Sequence, residues 1–363
     1  MTIEYKKDQI YEYLKREILG GQLYPGSKLP REVELAKRLS IGHVTLRSAL
    51  AQLEAEGLVE RIHGKGTFVA QPSNRRTFLL LLPDGTENIE SPSRYIVEGI
   101  EKSAWENAVT LEKCSTSLLN SLSMNDYKEM MQSHSISGII LETGRALPEE
   151  ETISRLKSLP MPVVIPHGGP TDSAQTSFAV LRTDERAAFG DGLRYLAKFG
   201  HRRIASIFLK LPNEDTSRMR GFLLQELLEF YRYNDLEESP LLIKHIDKAP
   251  ESIIRTVREL QLGPLPPTAI MCHSDRVAMR VYQALKELNM KIPQQISIMG
   301  YSNYPGSQLL SPPLSTIDVG FQQCGELALI HLLNSKEWYR PGETPSEVFT
   351  PYKILERKSV QTL

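Results

Sequence analysis

The sequence predicts an α/β protein in two parts, a small head of three helices and a β-hairpin followed by a large body of parallel sheets covered by helices on both faces. Three observations lead there. Apolar residues recur at helical spacing from Asp8 to Glu56 and then give way to two short alternating stretches. Beyond Thr77, short continuous apolar runs alternate with amphipathic segments, the pattern of strands buried on both faces. At 363 residues, 40% hydrophobic and 24% charged, the chain has the composition of an ordinary globular protein and exceeds one ordinary domain.

In the head, Ile10, Leu14 and Ile18 recur every four residues and place a helix over Asp8 to Leu19. Gly20-Gly21 stops it, and Tyr24-Pro25-Gly26 makes a turn. A second helix is expected from Arg31 to Leu39 after Pro30, and a third from His43 to Glu56, with Leu46, Leu50 and Leu53 inward and Gly57 as its stop. Leu58 to Ile62 and Thr67 to Ala70 read as strands joined by His63-Gly64-Lys65-Gly66. The polar, proline-containing stretch of residues 71–77 reads as a linker, giving a head of 1–70 and a body of 78–363.

Strands are expected in the body at Phe78 to Leu82, Val109 to Glu112, Gly138 to Leu141, Pro162 to Pro166, Phe178 to Leu181, Ile204 to Phe208, Leu241 to Ile246, Thr268 to Cys272 and Ile296 to Gly300. Helices are expected between them, including Arg94 to Asn107, Glu185 to Phe199, Met219 to Phe230, Glu251 to Leu260 and Arg276 to Leu288. There are enough strands for two sheets.

Charge and composition narrow the function. The net charge of −1 hides an asymmetry, because residues 1–76 carry 13 Lys or Arg against 9 Asp or Glu and the remainder 30 against 35. A basic head on an acidic body suits a head that meets an anion. No run approaches the roughly 20 apolar residues that cross a bilayer, and Met1 to Ile10 is too polar for a signal peptide, so a cytoplasmic protein with no membrane partner is expected. Cys114, Cys272 and Cys324 lie far apart, which points to free thiols and to no metal site. No Gly-x-Ser-x-Gly elbow, zinc spacing or phosphate loop is present, so no catalytic residues, no enzyme activity and no cofactor are expected. Gly64-Lys65-Gly66-Thr67 lacks the Walker spacing and precedes a strand rather than a helix.

The segments Leu29-Pro30-Arg31-Glu32-Val33-Glu34-Leu35-Ala36, Val44-Thr45-Leu46-Arg47-Ser48-Ala49-Leu50, Leu53-Glu54-Ala55-Glu56-Gly57-Leu58-Val59 and Gly64-Lys65-Gly66-Thr67-Phe68-Val69 together resemble the GntR-type winged helix-turn-helix. A helix opening with His43, Thr45 and Arg47 can enter the major groove, and the glycines of a His63-Gly64-Lys65 wing let it approach the DNA backbone. With Arg31, these residues are the candidate operator contacts. The family usually has Arg at Val33, Ser or Thr at Gly42 and Arg at His43, so an unusual operator is implied.

The body resembles the LacI/GalR effector domain, whose fold is periplasmic-binding-protein-like. The resemblance lies in Asp184 and the helix leading to Gly200-His201-Arg202-Arg203-Ile204-Ala205, and in Arg218-Met219-Arg220-Gly221-Phe222. It continues through His273-Ser274-Asp275-Arg276-Val277-Ala278, Ile296-Ser297-Ile298-Met299-Gly300-Tyr301, Pro313-Leu314-Ser315-Thr316-Ile317 and Leu355-Glu356-Arg357-Lys358-Ser359. That resemblance implies a ligand between two lobes, with Arg94, Asp184, Arg218, Ser274, Asp275 and Ser302 as candidate effector residues. A carboxylate accepts from vicinal hydroxyls and a guanidinium offers paired donors. Asp275 is equally readable as a helix cap, and His201 as a packing residue at a helix end. Ser274 and Ser302 stand where the family has Asn and Asp, and Val319 where it usually has a polar residue, which points to an atypical effector. The expected function is a homodimeric repressor of a carbohydrate-utilisation operon, released from its operator by a sugar or sugar-like effector. The alternative is a solute-binding or enzymatic C-terminal domain fused to a winged helix.

Overall fold

The computed structural model describes residues 3–19, 22–24, 26–62, 64–70, 76–84, 92–143, 147–210, 219–247, 249–345 and 347–363. The head contains α1 (Ile3–Leu19), α2 (Glu32–Arg38), α3 (His43–Ala55), β1 (Val59–Ile62) and β2 (Gly66–Val69). Its core is the set the periodicity selects: Leu14, Ile18, Leu35, Leu46, Leu50 and Leu53, closed by Leu58 and Val69 from the hairpin. α1 begins at Ile3, before the expected Asp8. The end of α3 is tied to α1 by the Tyr11 hydroxyl, which donates to Glu56 at 2.5 Å, and by Lys15 Nζ, 3.0 Å from the same carboxylate. Val59 pairs with Val69 and Ile62 with Gly66, so the hairpin turns through Gly64 and Gly66, both at positive φ.

The first lobe is a six-stranded sheet in the order β13-β7-β6-β5-β3-β4 and the second a six-stranded sheet in the order β14-β12-β11-β10-β8-β9. In chain order the elements are β3 (Thr77–Leu82), α4 (Pro92–Glu106), β4 (Thr110–Ser115), α5 (Thr116–Ser121), α6 (Met124–Ser133), β5 (Ile136–Leu141), α7 (Glu150–Lys157), β6 (Val163–Ile165), α8 (Asp172–Thr176), β7 (Ala179–Thr183) and α9 (Glu185–Lys198). They continue with β8 (Ile204–Leu209), α10 (Leu224–Tyr233), β9 (Ile243–Ile246), α11 (Pro250–Leu262), β10 (Ala269–Cys272), α12 (Asp275–Glu287), β11 (Ser297–Tyr301), β12 (Ser315–Asp318), α13 (Phe321–Leu333), α14 (Ser335–Trp338), β13 (Val348–Thr350) and β14 (Lys353–Leu355). Every pairing in the two sheets is parallel except β14 on β12. Thr77, the last residue assigned to the linker, is the first of β3, and residues 71–75 lie outside the described residues.

The chain crosses between the lobes three times. β7 belongs to the first sheet, but the helix after it, α9, packs on the second: a Cβ on Gly192 would meet Met271 and Ile317 side chains. β12 belongs to the second sheet and feeds α13, which lies on β5, β6 and β7 of the first. β13 pairs with β7, and after Pro351 and Tyr352 the chain is back in the second lobe as β14. At these crossings Thr183 and Thr350 hydroxyls lie 3.3 Å apart, Tyr352 donates to Asp191 at 2.7 Å, and Gly320, at φ 63°, donates its N–H to Asp318 at 3.0 Å.

One expected helix is displaced. Met219 and Phe222 form an antiparallel bridge around Arg220 at φ 52° and Gly221 at φ 80°, and α10 starts only at Leu224. Two successive left-handed residues cannot continue a right-handed helix.

Candidate functional site: recognition helix and interlobe cleft

In the head, α3 buries Leu46, Ala49, Leu50 and Leu53 and turns His43, Val44, Arg47, Ser48 and Ala51 to solvent, with Thr45 half-buried between. Arg47 is 72% exposed, and its Nε lies 2.8 Å from Glu32 Oε2 on α2, so the guanidinium is aimed along the joint between the two helices. Arg61 on β1 donates to the Arg47 carbonyl at 3.3 Å and pairs with Glu54 at 3.5 Å, holding the hairpin against α3. Arg31 caps the start of α2 and is exposed, as are Gly64 and Lys65 at the hairpin turn. His63 lies outside the described residues. Gly42, the N-cap of α3, offers no side chain to the free N–H groups of the first turn. The arrangement is one exposed helix beside a basic hairpin tip, the shape and charge that suit a DNA groove.

In the body, the crossings leave from the C-terminal ends of β7 and β12, so the C-terminal edges of the two sheets face each other. Phe321, at the start of α13, joins the two sides. Its ring meets His167, just past β6 in the first lobe, edge-on at 5.2 Å, and Tyr304, past β11 in the second, at 5.8 Å. The Arg276 guanidinium lies over the Tyr304 ring at 5.2 Å. On the first lobe's edge Glu142, 2% exposed, accepts from the Ser93 hydroxyl at 2.6 Å, and Asp172 accepts from the Gly169 N–H at 2.7 Å. On the second lobe's edge Arg220, 6% exposed, donates to Glu185 at 2.6 Å and to the His273 carbonyl at 2.7 Å and stacks on the Tyr301 ring at 4.2 Å.

The candidate effector residues divide by what they already bond. Asp184 accepts from the Ala187 N–H and Ser274 from the Val277 N–H, so each caps the helix that follows its strand. Asp275 is fully buried: its Oδ1 accepts from the Thr316 hydroxyl at 2.6 Å and its Oδ2 from the Tyr304 N–H at 2.8 Å, fastening the loop after β11 to β12. Burial pushes its carboxyl up to about 6 against the downward pull of these donors. A Cβ on Gly300 would come within 2.1 Å of Asp275 Oδ1, so only glycine admits the carboxylate there. Ser274 rather than Asp275 is thus the cap of α12, and Asp275 is a brace beneath the cleft. Ser302 is strained at φ 107° and nearly buried at the cleft edge, and Arg94 is exposed and paired with Glu98 at 3.3 Å. Val319 is buried in the core, and Arg218 lies outside the described residues. His201 is buried between Thr268 Oγ1 at 3.0 Å and the Gln361 carbonyl at 3.1 Å, the packing role expected of it, and burial holds its imidazole below its usual 6.5.

Glu142, His167, Arg220 and Phe321 were not singled out from the sequence. Their shared signal is position: each lies within a few residues of a strand's C-terminal end or, for Arg220, in the same short motif as Arg218.

Residues 6–69 match the bacterial regulatory proteins of the gntR family, and residues 193–360 match the periplasmic binding protein-like domain. The chain is a transcriptional regulator whose head is similar to the gntR family and whose body is similar to the periplasmic binding proteins. The regulator is 26% identical to the arabinose metabolism transcriptional repressor of Geobacillus stearothermophilus over 96% of this chain and 97% of that protein. It is also 26% identical to the HTH-type transcriptional repressor CytR of Escherichia coli K12, over 78% of this chain and 82% of CytR. A crystal structure of a LacI transcriptional regulator from Bacillus cereus subsp. cytotoxis superposes with a TM-score of 0.59 at 26% identity, covering 80% of the regulator and 99% of that chain. Both resemblances read from the motifs therefore hold, and they hold in one chain. No helix among the described residues is long and apolar enough to cross a membrane.

Truncating Arg47 to alanine is expected to weaken specific operator binding by about 1–3 kcal/mol, leaving effector affinity unchanged. Electrophoretic mobility shift against the promoter region measures the first and calorimetry on the same variant the second. Full operator affinity would remove Arg47 from the interface.

Proposed function

We propose that the regulator is a cytoplasmic repressor whose homodimer holds its operator through two winged helices, and that an uncharged carbohydrate bound between the lobes releases it. The observation that carries this is the chemistry of the facing strand ends. Phe321 and Tyr304 set aromatic rings where the lobes meet, the kind of group that packs on the C–H face of a sugar, and the carboxylates of Glu142 and Asp172 on the first lobe's edge are acceptors of the kind its hydroxyls need. The same carboxylates disfavour a sugar phosphate. The similarity to a repressor of arabinose metabolism supports a sugar as the effector class. Binding alone does the work, with no turnover: closure of the lobes changes the spacing of the two heads, and the coupling is reciprocal between effector and DNA.

Neutral pentoses and hexoses, their phosphates and nucleosides are the compounds to compare in a thermal-shift screen of the full chain. A neutral sugar at about a hundredfold its Kd should raise Tm by on the order of 5 °C and lower operator affinity at the same concentration. A response confined to phosphorylated sugars or nucleosides overturns the effector class. Size-exclusion chromatography with light scattering tests the dimer.

A further inference from the structure

The exposed stripe of α3 is short of hydrogen-bonding groups. Along it lie His43, Val44, Arg47, Ser48 and Ala51, and past His43 at its start only Arg47 carries a charge or a planar set of donors. Val44 is 79% exposed in the first turn, and Val33 is 64% exposed in the first turn of α2. Glu32 and Arg47 pair across the two helices, and Val33 stands one residue from Glu32 and Val44 three residues, about one turn, before Arg47. Neither valine helps its own helix, because β-branched side chains lose rotamer freedom there.

We propose that the head reads thymine methyl groups, through Val44 on the recognition helix with Val33 beside it, around the position where Arg47 meets the DNA. The thymine 5-methyl is the apolar feature of the major groove, and each base pair otherwise presents donors and acceptors that a valine cannot answer. Packing a methyl against Val44 removes both apolar surfaces from water. The cationic surroundings, Arg31, Arg47 and Lys65, make DNA the occupant of this apolar surface rather than a second protein. The inference rests on the reading of the head as the operator-binding part.

The test begins by selecting a duplex from a random pool with the full chain and then replacing its thymines one at a time by dU, which differs only by the lost methyl. One or two thymines in each half-site are expected to show about fourfold weaker binding as dU, the equivalent of one buried methyl. Val44→Ala, exposed and unable to disturb the core, should bind the dU duplex as the parent does and lose the discrimination at one of these positions. Val33→Ala should do the same at a neighbouring one, and Val44→Thr, which keeps a methyl, should retain it. Equal binding of dU and dT duplexes at every thymine overturns the inference, as does a preference that survives both alanine variants. A pool from which no duplex is enriched, with a protein captured through this face instead, removes the operator reading itself.

Discussion

Gly325→Ala destabilises the first lobe by about 2 kcal/mol or more, seen as a lower urea midpoint with the slope unchanged. α13 and α4 meet backbone to backbone: a Cβ on Gly325 would lie 2.0 Å from the Ile96 carbonyl oxygen and 2.9 Å from the Ile100 nitrogen, and one on Gly99 would lie 1.9 Å from the Gln322 carbonyl oxygen. Main-chain atoms cannot rotate away, so the helices must part, against which alanine's better helix propensity returns only about 1 kcal/mol. The loss is functional too. α13 carries Phe321 at its start and is the second crossing between the lobes, so moving it off α4 shifts the ring that joins the two sides of the cleft. Gly42→Ala is the control, since its Cβ meets nothing nearer than 4.0 Å. Equal midpoints for the two variants would remove the close approach as a determinant.

Arg220→Met costs the body about 2–3 kcal/mol, and the same variant responds to effector with a weaker change in operator affinity. The guanidinium joins Glu185, the first residue after the first crossing, to the His273 carbonyl at the end of β10 and to Tyr301 at the end of β11. Three elements of the second lobe's edge thus hang on one side chain. The figure is kept below that for a fully buried pair because Glu185 retains some solvent contact. Arg220→Lys should recover less than half of the loss, because one ammonium cannot bond the carboxylate and the carbonyl and stack on the ring together. Chemical unfolding and operator titration with and without effector measure the two effects. An Arg220→Met protein of parental stability and full response would sink the bracing role.

How far the site could be read in advance depended on the range of the interactions involved. Asp184 and Ser274 were named as effector residues from the resemblance, and the capping bond each makes to the helix directly after it, a relation only three residues long, was not read. Arg220 was passed over in favour of Arg218 because its partners lie 35 and 53 residues away. Asp275 offered two readings because nothing local says which way the carboxylate points; its partner Thr316 is 41 residues on.

The head was determined by the sequence alone: its helices, the stop at Gly57 and the glycine-flanked turn follow from periodicity and backbone freedom within a few residues, and the ordered motif identifies its class. The alternation of strands and helices in the body followed in the same way. The partition of those strands between two sheets did not. β13 and β14 are separated by two residues yet pair with strands of different lobes, β13 beside β7 and β14 beside β12. Which sheet receives a short apolar strand depends on the edge left open by segments far away in the chain, so the three crossings, and with them the cleft between the lobes, came into being only when the packed sheets chose their partners.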